Sequence, residues 1–328
     1  MRERLSAVLM TALLCGSLTA AAGEGRADAD IEKRPAGAAR SPAWGDPKVL
    51  PSLRRNLVAH YDFEHPVPGD PARERDQGLS GTTIDLVNGG ASMRVRDGAH
   101  PGRGHSLQVG QVNSDTAGND DWKAGVYSAT GVSTLHAFNG VEGATIMGWF
   151  KMTGPNPGLN SGTPDPADRY NAVGLAGVLS GDSQGHDVRA LLEVISVSGE
   201  LRVVALGRRV DGGSSQTFAA NEDWQSVLPL NTWVFLAATF DFDDGVMRLY
   251  KNGRSLAGSY VLPRDPWAVS GPPEPDLASA TDPRGIKIGG SFPQNTREAN
   301  PCDCRLDGLM FLDRVVTPRE VWLQYHRR

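Results

Sequence analysis

The sequence predicts an all-β fold in which two antiparallel sheets pack face to face and a short helix follows at the C-terminus. Two observations carry this prediction. Short runs of alternating apolar and polar residues recur along the 328-residue chain, and turn-forming residues separate them. The chain also contains 39 Gly and 22 Pro, which suits a fold with many turns and few helices.

The most informative stretch, residues 230–256, is predicted to form three strands joined by two tight turns. Residues 233–242 carry apolar side chains on both faces, so we expect this strand inside the two-layer structure, with Phe235 between the sheets. Residues 246–251 return antiparallel after a turn. Asn252-Gly253 then provides the strongest short-range hairpin signal and starts the third strand.

Other segments alternate in the same way and are also predicted as strands: residues 56–64, 82–87, 92–96, 105–111, 144–152, 172–180, 190–197, 200–206, 285–290 and 305–313. Two proline-rich stretches, 154–168 and 263–283, are predicted surface loops. The C-terminal helix is predicted to follow Thr317, because Thr is a good N-cap, Pro318 suits the first helical position and Glu320 completes a capping box.

The first 52 residues are predicted to precede the folded domain. Arg2 and Arg4 come before an apolar run that ends in small residues, which is the order of a secretory signal peptide. Residues 1–22 are therefore expected to be removed by cleavage after Ala22, and residues 23–52 to form a flexible linker. The mature protein, with one domain at 53–328, is expected to be secreted and to lack a membrane span.

Charge and cysteine content narrow the function classes. The formal net charge is -5 and the sequence pI is about 5.8, which argues against a nucleic-acid partner, because such a partner requires a clustered basic face. Loss of the leader removes Cys15 and leaves Cys302 and Cys304. An exported chain permits a disulfide between them, and a pair of free thiols is the alternative that the sequence leaves open.

Several of these segments resemble one family. The motifs are NTW at 231–233, LYKNG at 249–253, IGG at 288–290 and the tryptophan-bearing strand around Trp149. Together they resemble laminin-G-like domains of the concanavalin A-like lectin/glucanase group. The resemblance implies a jelly-roll sandwich that starts near Leu53 and holds Trp149 between its sheets. It also implies a non-catalytic module that recognises a carbohydrate or another extracellular surface component.

Aromatic residues in predicted loops are the candidate ligand contacts. A sugar site needs an exposed aromatic face beside hydrogen-bonding groups, and loops carry binding residues more often than strands do. The predicted ligand-binding residues are Trp122, Tyr127, Trp224 and Trp267. The predicted partner is therefore a polysaccharide or a glycoprotein glycan.

A calcium site is expected in the loop that precedes Lys123, where side-chain oxygens crowd together, as hard cations require. Its predicted ligands are Asp115, Asn119, Asp120 and Asp121. The family resemblance supports Ca²⁺, because laminin-G-like domains often bind it. A second acidic set would form if the opening and closing strands lie side by side, and it comprises Asp62, Glu64 and Asp307.

Three alternatives to a binding module stay open at this stage. Residues 181–185 match the G-x-S-x-G pattern of serine hydrolases, which requires a helix directly after Ser183. The KAGVY segment is similar to a motif of jelly-roll alginate lyases, in which Tyr127 would act as acid and base with Gln108 and Arg94 or Arg96. A structural or adhesive module without a small ligand is the third.

Overall fold

The computed structural model describes residues 47–99, 104–112, 120–128, 130–154, 173–180, 188–208, 215–261, 283–290 and 302–327. Strands dominate these residues, and the predicted all-β class is confirmed. The strands are β1 (Leu57–Tyr61), β2 (Pro66–Val67), β3 (Asp70–Glu74), β4 (Ile84–Val87), β5 (Arg94–Val95), β6 (Ser106–Val109), β7 (Lys123–Tyr127), β8 (Gly143–Met152), β9 (Val173–Ser180), β10 (Val188–Val197), β11 (Glu200–Arg208), β12 (Ser215–Ala220), β13 (Val234–Asp241), β14 (Val246–Lys251), β15 (Arg254–Ser255), β16 (Gly258–Tyr260), β17 (Pro283–Ile288) and β18 (Cys304–Leu312). The α-helices in the same ranges are α1 (Trp224–Val227) and α2 (Pro318–Tyr325).

The strands form two antiparallel sheets. Within the described ranges the first sheet has eight strands in the order β15-β14-β13-β8-β18-β6-β5, and β1 also pairs with β18. The second sheet has ten strands in the order β16-β12-β11-β10-β9-β17-β7-β4-β3-β2. The opening strand therefore lies beside the closing strand, with Tyr61 opposite Leu309.

The main hydrophobic core fills the space between the two sheets. It takes Ile146 and Phe240 from the first sheet and Val178 and Ile286 from the second, and all four are buried. Each such side chain contributes about 1.5–3 kcal/mol when it leaves water. The two-layer architecture follows from this single shared core.

Trp149 and Phe235 do not lie between the sheets, so that expectation is wrong. Their rings meet edge to face at 5.3 Å on the opposite face of the first sheet, and Tyr325 of α2 lies 5.6 Å from Trp149. Helix α2 and a 3-10 helix at Pro51–Asn56 contribute to this second cluster. The central strands are apolar on both faces because both faces are covered.

The two predicted two-residue hairpin turns are confirmed. Asn252 has φ 49° and Gly253 has φ 78°, and Ser198 and Gly199 have φ 54° and 85°. Positive φ at both central residues is the type I′ geometry, which matches the twist of the flanking strands. The Asn252 side chain adds a hydrogen bond, because its Oδ1 accepts from the backbone N–H of Phe235 at 3.0 Å.

Some elements were not predicted. The β2–β3 hairpin is short, charged and rich in proline, and β12 (Ser215–Ala220) has its polar residues in its first half and its apolar residues in its second, so neither has a clear apolar alternation. Both lie at or near an edge of the second sheet, where one strand face does not need an apolar pattern. Trp224, expected in a loop, opens helix α1 instead.

The chain segment before β1 is part of the domain. Gln324 of α2 donates a hydrogen bond to the carbonyl of Lys48 at 2.8 Å and accepts one from the N–H of Leu50 at 2.8 Å. The domain therefore begins before the predicted boundary at residue 53. The capping box of α2 is confirmed by reciprocal bonds between Thr317 and Glu320. The predicted signal peptide and residues 23–46 lie outside the described residues.

Cys302 and Cys304 form a disulfide, with 5.1 Å between their Cα atoms. Both cysteines are fully buried. The structure thus decides between the two states that the sequence left open.

Candidate functional site

Strand β7 carries a polar stripe on the face of the second sheet that points away from the first sheet, here called the outer face. Alternation places Lys123, Gly125 and Tyr127 on this side, together with Asp121 just before the strand. Ala124, between them, belongs to the main core. Tyr127 is half-buried against a small apolar cluster on the outer face, formed by Leu179, Leu191 and Leu206.

Glycines flank the charged residue at the centre of the outer face. Lys287 of β17 lies opposite Gly125 on β7 and opposite Gly177 on β9. A Cβ atom added to Gly125 would lie 2.3 Å from the carbonyl oxygen of Ile286, and one added to Gly177 would lie 2.7 Å from Leu191. Gly125 accepts no side chain, because a backbone carbonyl occupies the position of its Cβ, whereas at Gly177 the nearest atom is the end of the Leu191 side chain. Neither residue opposite Lys287 therefore carries a side chain.

Charged side chains are buried on this face. Lys123, Glu193 and Lys287 are at most 3% exposed. Burial lowers the pKa of the Lys123 ammonium group to about 8, and the charge of Asp121 opposes this effect. Such buried charges are costly in an apolar setting, and they mark the outer face as a polar region rather than a second core.

Three carboxylates share the end of the stripe near Asp121. Burial raises the pKa of Asp121 to about 6. Lys123 lowers this pKa, whereas the charges of Asp120 and Asp303 raise it. Burial also raises the pKa of Asp303, and a hydrogen bond from the N–H of Gln111 opposes the shift. The negative charges of Asp120 and Asp303 thus oppose the ionisation of Asp121.

One oxygen of the Asp121 carboxylate lacks a hydrogen-bond partner within the described residues. The residue is 1% exposed, and its Oδ1 has no hydrogen-bond partner in the described part of the chain. The same holds for the buried Oδ1 of Asp120. A buried anion without a compensating donor is unfavourable, and a hard cation that prefers oxygen ligands would remove this cost.

Two of the four predicted calcium ligands lie within the described residues. Asp120 and Asp121 lie together, as expected from their adjacency, while Asp115 and Asn119 lie outside the described residues. Asp303, about 180 residues away in the sequence, accepts a hydrogen bond from the N–H of Gln111, whose neighbour Gly110 pairs with Trp122, the residue after Asp121. Sequence reasoning missed Asp303, because nothing local links it to the loop before β7.

The predicted aromatic contacts differ in their surroundings. Trp122 is half-buried and packs over Gly89, where an added Cβ would lie 2.8 Å from its ring. Trp224 is 8% exposed and belongs to the main core, so it does not present an open face. Tyr127 alone of the three described residues lies on the outer face, and Trp267 lies outside the described residues.

The second acidic set does come together, where the chain leaves β1 beside the middle of β18. Burial raises the pKa of Asp307 to about 7; its bond from the N–H of Ala99 lowers this pKa, and the charges of Asp62 and Glu64 raise it. Burial would also raise the pKa of Asp62, but a hydrogen bond from His65 and nearby histidine charges hold it at about 2. The carboxyl groups of Asp307 and Asp62 therefore lose their protons at widely separated pH values.

A possible metal cluster next to this set is already satisfied by protein partners. Ligand atoms of Asp62, His65 and Glu74 lie within 4.8 Å of one another. However, Asp62 Oδ1 is 2.8 Å from His65 Nδ1, and Arg94 forms an ion pair with Glu74. Because these partners supply the required charges and hydrogen bonds, the cluster does not need a cation.

The two enzymatic alternatives lose their geometric basis. The G-x-S-x-G segment and residues 186–187 lie outside the described residues, and residues 188–197 form strand β10, whereas a nucleophilic serine requires a helix after it. For the lyase alternative, Gln108 and Arg94 belong to the first sheet and Arg96 directly follows β5 of that sheet, whereas Tyr127 lies on the outer face of the second. The predicted partners are therefore on different sheets.

Lys287 is a second residue that sequence reasoning missed. The signal was present, because Ile286 and Ile288 both face the core and an intervening residue on a strand must face the other way. What the sequence does not give is the register that sets Lys287 between two glycines and in the strand next to Tyr127.

Comparisons with known proteins support the fold. No protein-family model matches the chain, and no curated protein matches its sequence. One similar structure is of botulinum neurotoxin type C, whose cell entry depends on interaction with two ganglioside molecules. Its sequence is 12% identical to this chain, and the TM-score is 0.50. The match covers 84% of this chain and 51% of that one. The binding domain of botulinum neurotoxin DC in complex with rat synaptotagmin II is 11% identical with a TM-score of 0.50, covering 83% and 52%.

A sialidase from Trypanosoma rangeli in complex with 2,3-difluorosialic acid also matches, with 11% identity, a TM-score of 0.48, and coverage of 83% of this chain and 32% of that one. This score is too low to carry an argument. The chain spans about half the length of the toxin structures. At these identities the similarity shows a β-sandwich fold. In the described residues, no helix is both long and apolar enough to span a membrane.

Proposed function

We propose that this protein is a secreted, non-catalytic module that binds a carbohydrate or a glycan-bearing surface component on the outer face of the second sheet. The observation that carries the proposal is the arrangement around Tyr127. A half-buried aromatic ring lies beside Gly125 and Gly285, and Lys287 lies in the next strand. The laminin-G-like jelly roll is part of the same proposal.

This arrangement suits a sugar for physical reasons. Pyranose rings offer an apolar face, which packs on an aromatic side chain, and a rim of hydroxyl groups, which need polar partners. Tyr127, which is half-buried whereas its neighbours on the outer face are buried, would provide the ring.

We further propose a bound Ca²⁺ at the end of this face, with Asp120 and Asp121 among its ligands. The buried Oδ1 of Asp121, which has no hydrogen-bond partner in the described residues, supports the fit. Asp115 and Asn119 complete the predicted set. When bound, the ion would neutralise the carboxylates and fix the segment that leads into β7.

Secretion rests on the N-terminal leader pattern and is supported by the Cys302–Cys304 disulfide, since such bonds persist in oxidising compartments. Expression with the native leader, followed by mass spectrometry of the exported protein, tests it. An N-terminus at Gly23 is the expected result. Retention of residues 1–22 would contradict the predicted cleavage.

Binding is tested with a glycan array that includes uronic-acid polymers and gangliosides, read for the wild-type protein and for Tyr127→Ala. We expect the variant to bind any glycan that scores on the array about tenfold more weakly. The reason is that an aromatic contact contributes about 1–1.5 kcal/mol beyond the effect of the area it buries. Trp322→Ala is the matched control, since Trp322 is an exposed aromatic residue on α2. Equal affinity in the wild type and Tyr127→Ala would place the ligand elsewhere.

The same glycans separate binding from catalysis. Incubation of uronic-acid polymers with the protein, followed by ultraviolet absorbance of unsaturated ends, would reveal a lyase. We expect no product. Product formation that disappears in Tyr127→Phe would overturn the non-catalytic assignment and restore the lyase alternative.

A further inference from the structure

Helix α2 presents an exposed stripe of aromatic and basic side chains. Arg319, Trp322 and His326, the C-cap, follow one another at helical positions i, i+3 and i+7, so they share one side of the helix, and all three are exposed. On the opposite side, Val321 packs in the second cluster and Gln324 bonds to the segment before β1. Trp322 keeps 45% of its surface exposed, although tryptophan is highly buried on average.

Neighbouring groups hold the exposed Trp322 ring in one position. Its centroid lies 4.0 Å from that of the His326 ring, and His326 Nδ1 donates to the carbonyl of Trp322 at 2.7 Å. On the other side stands the turn after β14, where a Cβ added to Gly253 would lie 3.1 Å from Trp322 Cα and 3.4 Å from its Cδ1. A side chain that is already ordered loses little conformational freedom when a partner covers it.

Arginine side chains surround this ring. Arg254 directly follows Gly253 and is exposed. Arg248 is also exposed, and alternation puts it on the same face as Tyr250, which belongs to the second cluster. Among the ion pairs of the described residues, none includes Arg248, Arg254 or Arg319. We call the set of Arg248, Arg254, Arg319, Trp322 and His326 the α2 surface.

The carboxylates beside the helix already have partners. Glu320 forms an ion pair with Arg314 at 2.7 Å, and Asp313 accepts a hydrogen bond from the side-chain amide of Asn56 at 2.8 Å. Arg327, at the end of the helix, donates only to a backbone carbonyl in the described residues, so its positive charge is not neutralised there. The chain as a whole has a formal net charge of -5, yet the α2 surface is locally positive. Its partner must therefore be negatively charged.

We propose that the α2 surface docks the protein on a lipid bilayer that contains anionic phospholipids. A helix that stands on a sheet is convex, so its side chains meet a flat surface together, whereas most ligand sites are concave. Indole rings favour the boundary between headgroups and acyl chains, and basic side chains are attracted to anionic headgroups. The α2 surface offers both kinds of side chain on one side of the domain.

The α2 surface is independent of the proposed glycan site. It lies on the face of the first sheet that carries the second cluster, whereas Tyr127 lies on the outer face of the second sheet. The main core separates the two faces. One molecule therefore contacts a bilayer on one side and a glycan on the other, and each contact is removed by substitutions that leave the other in place.

Co-sedimentation with phospholipid vesicles, which carry no carbohydrate, tests the docking. One vesicle preparation is phosphatidylcholine alone, and the other contains about one-third phosphatidylserine. We expect binding to the anionic vesicles only, at about 0.1 M NaCl, and release at about 1 M, because the screening length falls from about 10 Å to about 3 Å. Failure to bind the anionic vesicles, or equal binding to both preparations, would overturn the proposal.

Substitutions on the α2 surface locate the contact. Arg254→Gln/Arg319→Gln should bind anionic vesicles about 25-fold more weakly, because each arginine near such a surface contributes about fivefold. The matched control is Arg73→Gln/Arg202→Gln, which removes the same charge from the second sheet and should bind as the wild type does. Equal weakening in both double variants would show that net charge alone matters, and it would refute the assigned surface.

Tryptophan fluorescence gives a second readout that does not depend on weakened binding. Lipids brominated on their acyl chains quench an indole that enters the bilayer boundary, so we expect quenching of the wild type by anionic brominated vesicles. Trp322→Phe keeps an aromatic ring and should still bind these vesicles, but the quenching should disappear. Quenching that persists in Trp322→Phe would place the bilayer contact at another tryptophan and overturn the assignment.

A soluble polyanion is the competing partner. If a sulfated polysaccharide binds the wild type, loses affinity for Arg254→Gln/Arg319→Gln, and no vesicle binds, then the α2 surface recognises a polyanionic chain and the bilayer proposal is wrong. Tyr127→Ala should bind anionic vesicles as the wild type does. Loss of vesicle binding with an intact glycan response thus refutes the α2 surface alone, and the reverse result refutes the glycan site alone.

Discussion

Replacing Asp307 by asparagine should stabilise the protein at neutral pH and have little effect at acidic pH. Asp307 is 4% exposed within β18, and burial raises its pKa to about 7, against an ordinary value of about 3.9. Asp62 and Glu64 face it with negative charge, and Lys48 faces it with positive charge. Asparagine keeps the shape, and its side-chain oxygen can still accept the hydrogen bond from the N–H of Ala99.

The sign of the effect follows from proton binding. Between about pH 4 and pH 7 the folded protein keeps a proton on Asp307 that the unfolded chain releases, so the contribution of this residue to stability falls as the pH rises. At about 1.4 kcal/mol per pKa unit, the full effect amounts to about 4 kcal/mol at pH 7 and above. Local relaxation and water entry reduce this figure, so it is an upper bound.

The assay is urea unfolding from pH 4 to pH 8, applied to the wild type and Asp307→Asn. The difference between their free energies of unfolding isolates Asp307, because Asp62, His65 and the other titrating groups are common to both proteins. We expect Asp307→Asn to gain stability relative to the wild type by up to about 4 kcal/mol across this range.

A difference in unfolding free energy between the wild type and Asp307→Asn that stays constant from pH 4 to pH 8 would refute the reasoning. It would mean that the folded protein ionises Asp307 at an ordinary pH, and that Lys48 or another cation compensates its charge in solution. If the wild type instead gains stability relative to Asp307→Asn as the pH rises, the folded protein stabilises the ionised form of the Asp307 carboxylate.

Three further predictions concern stability and are measured by urea unfolding at fixed pH. Thr317→Ala removes the N-cap of α2 and should cost about 1 kcal/mol, and a loss below about 0.3 kcal/mol would show that the cap is not needed. Trp149→Ala removes a buried ring and should lower the free energy of unfolding by about 3–5 kcal/mol. Trp322 is exposed, so Trp322→Ala should change it by less than about 0.5 kcal/mol. Similar losses in the two variants would contradict the assigned second cluster. Cys302→Ala/Cys304→Ala should cost only about 1.6 kcal/mol without calcium, because the closed loop is very short, and a much larger loss would indicate a role in the core.

Local features were predicted correctly where their physical cause is local. The Asn252-Gly253 turn depends on two residues that tolerate positive φ, and the start of α2 depends on Thr317 and Glu320, which satisfy each other's backbone groups. Strand β13 was predicted to be internal because it is apolar on both faces. Those properties lie within a few residues of one another, so a single sequence contains them.

The side on which each apolar face is buried could not be predicted in the same way. Trp149 was expected between the sheets, because large aromatics usually fill the central core. It lies instead beneath α2 and the segment before β1, which close over the first sheet from the two ends of the chain. Alternation alone does not reveal which of two apolar faces meets the partner sheet.

The sequence by itself determined the all-β class, the hairpin turns, the capped helix and the adjacency of Asp120 and Asp121, since short-range sterics and hydrogen bonds set all of these. Only the tertiary structure decided that the Asp303 carboxylate meets the N–H of Gln111, beside the Gly110–Trp122 pair, and that Lys287 lies beside Gly125. The physical reason is register. A shift of one residue along any strand would turn these side chains to the opposite face, and the register is fixed by packing between segments far apart in the chain.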